Sequence, residues 1–588
     1  MAEKSETPPY GEEIESTRGG FSGFVDSFRQ HPSQAASQKA RAAATAAGGY
    51  DAEAAALNLA ESPLSRKLKN RHLQMIAIGG SIGTGLFVGS GKALAGGGPA
   101  SLLICFALIG AMLFSTVHAL GELAVLFPVA GSFAAYSTRF LDPAWGFAMG
   151  WNYAMQWLIV LPLEIVAAAI TVNYWDDKQT ISPAVWVTIF WVLIVSINLF
   201  GVKGYGEAEF IFSLVKVIAV IGFIILGIIL NVGGGPQGGY IGGRYWHDPG
   251  AFNGGFKGLC GVFVTAAFSF AGTELVGLAA AETANPRKSL PTAIKQVFWR
   301  ITLFYIVSLT LVGLLVPYTE PRLLQEGSAN AAASPFVIAI RNAGIKVLPS
   351  VMNTVIMIAV LSVGNSSVYG SSRTLAALAE QGQAPLIFAY VDRCGRPMAG
   401  IILSAVLGLL SYISVNKEAE GPAFMWMLAI SGLSSIFTWG SICACHIRFR
   451  RGWKLQGHSL DELAFVSQPG VIGSYIGLVF NCLVLVAQFW TAMWPQGGKT
   501  TATGFFSSYL AVPIVIAFYI PYKIYYKTPF VRAKDMDLVT GRRELDLSAI
   551  LAEERVERAT WPAWKRWYKV FCFSFFLLGF PFFVFQLR

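Results

Sequence analysis

The sequence predicts an all-α membrane protein of about twelve helices, built from two repeats of opposite topology that each contain a broken helix. Three observations predict it. Of 588 residues, 54% are hydrophobic and only 13% charged, with mean hydropathy +0.53, more apolar than a soluble core requires. Stretches of roughly 20 apolar residues, enough to cross a bilayer, recur along the chain. A glycine-rich interruption of the first stretch, IGGSIGTGLFVGSG at residues 78–91, has a counterpart in the sixth, FSFAGTELVG at 268–277. Interrupted helices at corresponding places in two halves mark a secondary transporter with inverted repeats.

Taken in order, residues 1–65 are polar, rich in Ala, Ser, Gly and Glu, and lack the basic-then-apolar pattern of a leader. They read as a disordered tail, with the first span acting as the targeting signal. Spans are expected at 73–95, 99–127, 144–172, 184–201, 209–231, 256–281, 292–317, 335–363, 398–415, 422–446, 471–494 and 505–526. The connection between spans 5 and 6 is dominated by glycine and turn residues and is expected to be mobile. That between spans 6 and 7 stops one helix at Asn285-Pro286 and starts another near Pro291. Residues 66–526 therefore form the transporter domain, with repeat one at 73–231, repeat two at 256–446 and two accessory helices at 471–526. Residues 527–588 begin charged and end aromatic, a tail expected to pack on the cytoplasmic face with its aromatic end suited to the interface.

Charge sets the expected orientation. With the N-terminus inside, the internal loops hold Arg139, Lys203, Arg287, Lys288, Lys295, Arg300, Arg373, Arg393, Arg396, Arg448, Arg450, Arg451 and Lys454, a denser basic set than the external loops carry, so both termini are placed in the cytoplasm. The net charge of +10 follows from this bias and gives no reason to expect nucleic-acid binding. Of seven cysteines, five lie in expected spans and none pairs within an external loop, so they read as small core residues. Cys572, in the aromatic tail, is a conceivable S-acylation site.

The breaks carry the chemistry. Unpaired backbone inside hydrocarbon costs several kcal/mol and survives only where it lines a cavity or is buried in protein. Glycines at 79, 80, 83, 85, 89 and 91 exceed what close helix packing needs. An unwound segment offers N–H groups to an anion and carbonyls to a cation. Two facing breaks can thus hold a zwitterion, which makes an α-amino acid the expected substrate class. GTGLFVG also fits a loose dinucleotide pattern, but no strand precedes it.

Ionisable residues inside spans are functional candidates by default. Glu164 in span 3, Lys216 in span 5 and Glu274 in the second break stand out, against the alternatives of a satisfied structural carboxylate for Glu164 and snorkelling for Lys216. Glu122 lies near the cytoplasmic end of span 2 and suits pairing with an internal basic residue, and Glu282 closes span 6 and is expected to interact with the 6–7 loop. His118 reads as a core histidine, and the CACH run at 443–446 lacks further ligands for a metal site.

The segments LKNRHLQMIAIGGSIGTGLFVGSG, GELAVLFPVAGSFAAYSTRF, FSFAGTELVGLAAAETANPRKSLPTAI, GNSSVYGSSRTLAALAEQGQAP and SGLSSIFTWGSICACHIRFRRG resemble signatures of fungal amino-acid permeases of the amino acid–polyamine–organocation superfamily, in its general amino-acid permease branch. The resemblance runs from about residue 66 to the tail. It implies a five-plus-five inverted repeat of the kind shared with sodium-coupled cousins, spans 1–5 and 6–10, in which spans 1, 2, 6 and 7 move against a scaffold of spans 3, 4, 8 and 9. By the same resemblance, the N–H groups of Gly83, Thr84 and Gly85 take the substrate carboxylate. Carbonyls near Ser81, Phe268 and Ala271 take the ammonium, beside Phe270 and Thr273. Glu274 connects to the external gate, Glu164 lines the side-chain pocket opposite Ser431, Ser434 and Ser435, and Lys216 couples protons.

The function implied is a proton-coupled plasma-membrane importer of a broad range of L-amino acids, with no cofactor beyond the proton gradient and with lipids and ubiquitin machinery acting on tail lysines such as Lys4 and Lys39 as further partners. An amino-acid sensor and a carrier of narrower amino-acid or amine range are the alternatives. An enzyme is not expected, because the six histidines are scattered without a nucleophile–base or metal-ligand pattern.

Overall fold

The computed structural model describes residues 25–31, 50–80, 82–176, 180–323, 334–495, 498, 500–542, 556, 560 and 562. Lys4, Lys39, Ser81, Cys572 and the aromatic end of the tail lie outside them. The described residues are helical with only isolated bridges. Nine of their helices are long and apolar enough to cross a membrane. Pro183–Leu199, and the pair Ala502–Tyr509 and Ala511–Tyr526 bent by 68°, supply two further spans. Gly98, at φ +80°, divides the long Ser90–Leu126 helix into the end of span 1 and span 2, completing twelve. The turn at Gly98 is obligatory, since a Cβ there would stand 2.8 Å from the Ala251 carbonyl oxygen in a left-handed conformation that favours glycine.

Most expected bounds hold within a few residues, and three shift for a physical reason. Span 5 is Gly201–Asn231, longer than its apolar stretch, so that Glu209 falls inside the helix. Span 8 is Leu348–Glu380, preceded by a separate short helix, Pro335–Asn342. Hydropathy ended span 8 early because its second half is lined with serines; these face protein and bond the preceding turn, as Ser371 and Thr374 do to Ser367 and Gly370 carbonyls at 2.7 Å. Such hydroxyls satisfy themselves within a helix. Span 10, within Lys417–Leu455, runs past residue 446 because Arg450 reaches the buried Glu122 at 2.5 and 2.7 Å.

That Glu122 cluster, with Ser467 N–H donating at 2.7 Å, belongs to the face that carries the basic residues. The start of the C-terminal tail packs there too: Val531 N–H donates to Leu141 at 3.0 Å and Arg139 donates to the Thr540 carbonyl at 2.8 Å. On the opposite face the glycine-rich 5–6 connection is tied to the kink at Gly98, through Asn253 N–H to Gly97 at 2.9 Å and Asn253 Nδ2 to Ala95 at 2.7 Å.

Candidate functional site

Span 1 runs as Asn70–Gly79, breaks, and resumes as the wide-turn helix Gly85–Gly89 and then Ser90–Leu126. The helix that resumes begins with N–H groups that have no carbonyl one turn behind them, at Gly83 to Gly85. Span 6 runs as Gly255–Phe270 and resumes only at Leu275–Leu278. Gly272, at φ +95°, turns the chain where an L side chain would be strained. The Phe270 carbonyl accepts from Thr273 N–H at 3.3 Å and from Thr273 Oγ1 at 2.6 Å, closing the turn on itself.

Spans 1 and 6 touch beside their breaks. A Cβ on Gly85 would lie 2.4 Å from Ser269 Cα, and one on Gly83 would lie 2.4 Å from Val363 Cγ2, so the absence of side chains is what lets span 1 reach spans 6 and 8. Close packing, weighed from sequence as an alternative to binding, is therefore present together with the unwound backbone.

Around the breaks stand buried polar groups. Thr84 donates its hydroxyl to Glu164 Oε2, while Glu164 Oε1, buried, has no partner among the described residues. One helical face of span 3 continues from Glu164 to Gln156 and Asn152. Gln156 Nε2 donates to Ser435 Oγ at 2.8 Å and Asn152 Nδ2 to the Ser434 carbonyl at 3.1 Å. Gln156 Oε1, Ser431 Oγ and Ser434 Oγ are buried and unpartnered. Neither Gln156 nor Asn152 stood out in the sequence, because neutral amides inside a span carry less of a signal than a charge does.

Glu274 accepts from Tyr153 O–H at 3.1 Å, from Gly272 N–H at 3.2 Å and from Trp439 Nε1 at 3.1 Å. Tyr153 and Trp439 lie about a turn nearer the basic face than Gln156 and Ser435, so Glu274 ties the break to spans 3 and 10 on that side. Phe270 packs into a seam with Tyr305 and Phe106, at centroid distances of 4.1 and 5.9 Å. Phe268 and Ala271 are buried beside the break, and the Phe268 carbonyl already accepts Ala271 N–H at 3.1 Å.

Lys216 is fully buried and does not snorkel. Its ammonium donates to the Gly79 carbonyl at 2.6 Å, to Ser362 Oγ at 2.8 Å and to Glu209 Oε1 at 3.4 Å. It thereby caps the end of the first half of span 1, where carbonyls lack partners. Glu209 was missed from sequence because the apolar stretch begins there; its spacing of seven from Lys216, two turns along one face, was the available signal.

Arg300 is a correction. It stands among the internal-loop basic residues although the expected span at 292–317 contains it, and it is fully buried, donating to the Ala77 carbonyl at 2.6 Å and to Thr273 Oγ1. It thus bridges both breaks. The apolar residues on either side of it, VFWRITLF, mark an arginine inside a span. Of the remaining ionisable residues, Glu122 pairs with Arg450, Glu282 bonds Arg373 and Tyr369 of span 8 where the 6–7 loop was expected, and His118 bonds the Phe114 carbonyl at 2.9 Å.

Residues 72–534 match the family model described as amino acid permease. The chain is 61% identical over 559 residues to a general amino-acid permease of Candida albicans, covering 94% of this chain and 93% of the relative. It is 58% identical over 532 residues to a general amino-acid permease of Saccharomyces cerevisiae, covering 89% and 88%. Over 520 residues it is 54% identical to a cationic amino acid transporter of Schizosaccharomyces pombe, covering 87% and 86%.

Proposed function

The chain belongs to the amino acid permease family, and from that premise we propose that it imports L-amino acids of broad side-chain range across the plasma membrane, each with a proton, by alternating access. The observation that carries the reading is the contact of spans 1 and 6 at the helix ends that border their breaks, Gly85 against Ser269, flanked by buried polar atoms that lack partners among the described residues. Buried polar groups normally find partners within the protein. A row of orphans beside bare helix ends is therefore a place prepared for a polar guest.

A zwitterion answers both halves of the site. The N–H groups of Gly83, Thr84 and Gly85 suit its carboxylate, by the positive end of the helix that starts there. Carbonyls of the span 6 break, at Phe268 and Ala271, suit its ammonium, with Thr273 adjoining. The side chain then extends toward Glu164, Gln156, Ser431 and Ser435, a wall of hydroxyls, an amide and one carboxylate with no cation fixed on it. Such a wall accepts many side chains, whereas a narrow site needs fixed opposing charges or clashes.

Coupling falls to Lys216. Protonated, its ammonium holds the Gly79 carbonyl and joins span 1 to spans 5 and 8; neutral, it loses much of that hold, because charge-assisted bonds are roughly twice as strong as neutral ones. The basic face is placed in the cytoplasm with both termini. An uptake panel tests the whole: labelled amino acids supplied to permease-deficient cells should accumulate above the external concentration, and a protonophore should abolish the excess. Accumulation indifferent to the protonophore would refute proton coupling, and no uptake of any amino acid would refute the function.

A further inference from the structure

Lys216 has a carboxylate beside it in a place where a charge is expensive. Glu209 and Lys216 are both fully buried, 3.4 Å apart, and among the described residues no other carboxylate bonds the ammonium. Glu209 Oε1 also accepts from Ser213 Oγ at 3.1 Å. Its Oε2 accepts from Ser362 Oγ at 2.7 Å and lies 3.5 Å from Ser366 Oγ. From Ser366 the hydrogen bonds continue to Tyr205 O–H at 3.1 Å. The Tyr205 ring stacks on Tyr369 at 4.2 Å with planes 5° apart, and Tyr369 O–H donates to Glu282 at 2.6 Å, which Arg373 holds at 3.3 Å. This polar column runs from the end of the first half of span 1 toward the basic face, along spans 5 and 8 and ending at span 6.

Resting on the proposed function, we infer that Glu209 is the internal acceptor of the coupling proton: it takes the proton from Lys216 and opens an exit route along Ser366 and Tyr205 toward the basic face. In the transfer one Nζ–H bond of Lys216 breaks and one O–H bond forms on Glu209, leaving a neutral amine and a neutral acid. The pair changes from two buried charges to none without any ion crossing hydrocarbon. Solvated charges need no such partner; a buried pair that must shed a proton does. Ser366 then accepts one proton and gives its own to Tyr205, and the Tyr205 hydroxyl releases its own to solvent water entering from the basic face as the route opens, so neither hydroxyl ends the step altered; the stacked rings beyond Tyr205 carry no proton. The other groups around the pair are the Glu164 carboxylate of span 3, the Arg300 guanidinium of span 7, both acting on Lys216 through space, and His72 of span 1, whose ring lies against Gly206. None of them bonds Glu209.

The test uses the full-length protein reconstituted in vesicles with a pH-sensitive dye inside. Glu209→Gln keeps a side chain that accepts from Ser362 but cannot take a proton. It should retain exchange of labelled for unlabelled amino acid to within about threefold, while losing at least about tenfold in gradient-driven accumulation and in the proton flux that accompanies it. Glu209→Asp, which keeps the acid, should restore part of both. Tyr205→Phe, which interrupts the route but leaves the pair, should slow proton flux and flatten its dependence on internal pH.

Should Glu209→Gln prove misfolded, the Glu209→Asp and Tyr205→Phe results decide the matter. Wild-type coupling in Glu209→Gln, or in Tyr205→Phe with Glu209→Asp unaltered, overturns the inference. A wild-type protein that moves amino acid with no proton flux overturns instead the coupling on which it rests, and a Lys216→Met variant that is uncoupled beside a coupled Glu209→Gln separates the two.

Discussion

At the scale of single residues, small side chains and buried charges divide the labour. Gly85 matters for what it lacks: adding one methyl would place a carbon 2.4 Å from Ser269 Cα, a backbone atom that cannot swing aside. Overpacking of that sort costs about 1–3 kcal/mol, and here it falls on the contact that shapes the site. Gly85→Ala should therefore reach the membrane and lose roughly tenfold or more in apparent affinity, read as the concentration dependence of uptake with surface protein measured alongside; unchanged kinetics would show that the two breaks have room to spare. Arg300 works by the opposite means, spending a buried guanidinium on two partners, one from each break. Arg300→Lys should not replace it, because a compact ammonium lacks the forked donor geometry. Uptake by that variant at the wild-type rate would assign Arg300 to stability alone.

At the scale of elements, span 8 shows why polar content need not shorten a membrane helix. Its serines face spans 3, 5 and 9, with Ser367, Ser371 and Ser372 bonding their own backbone and Ser362 and Ser366 bonding side chains of span 5, so the helix is apolar to lipid and polar to protein at once. Span 10 shows the converse, a helix prolonged past the apolar zone by the attraction of Arg450 to Glu122. Removing one partner of a buried pair costs about 3–5 kcal/mol, since the other charge is left without compensation. Glu122→Gln should lower the thermal melting point of the purified protein by several degrees while leaving substrate range unaltered; a variant equally stable and altered in selectivity would move Glu122 from the scaffold into the transport path.

At the scale of the molecule, the first half of span 1 is the element most poised to move. It is held by Lys216 and Ser213 of span 5 and by Arg300 of span 7, and it borders an open groove lined by Met75, Ile78, Leu214, Val217 and Phe304. Lys216→Met removes the charged hold without adding bulk. It should fold and reach the membrane, exchange amino acid, and fail to accumulate it against a gradient. Concentrative, pH-dependent uptake by that variant would remove lysine from the coupling scheme.

What the amino-acid order settled alone was whatever depends on local backbone chemistry: the helical class, the number of spans, and the two breaks, because glycine clusters and runs of apolar residues act within a turn or two of themselves. Glu164, Lys216 and Glu274 were visible for the same reason, as charges set in apolar sequence. Tertiary structure decided which groups share one space. Glu209 lies at the edge of an apolar stretch and Arg300 is grouped with the internal basic residues despite its apolar neighbours, so each reads as solvated until the packing of spans 5 and 7 against span 1 buries it. Gln156 and Asn152 gained importance only by facing Ser434 and Ser435 across a helix pair some 280 residues apart in sequence. Burial is a property of neighbours, and a linear chain does not state who its neighbours are.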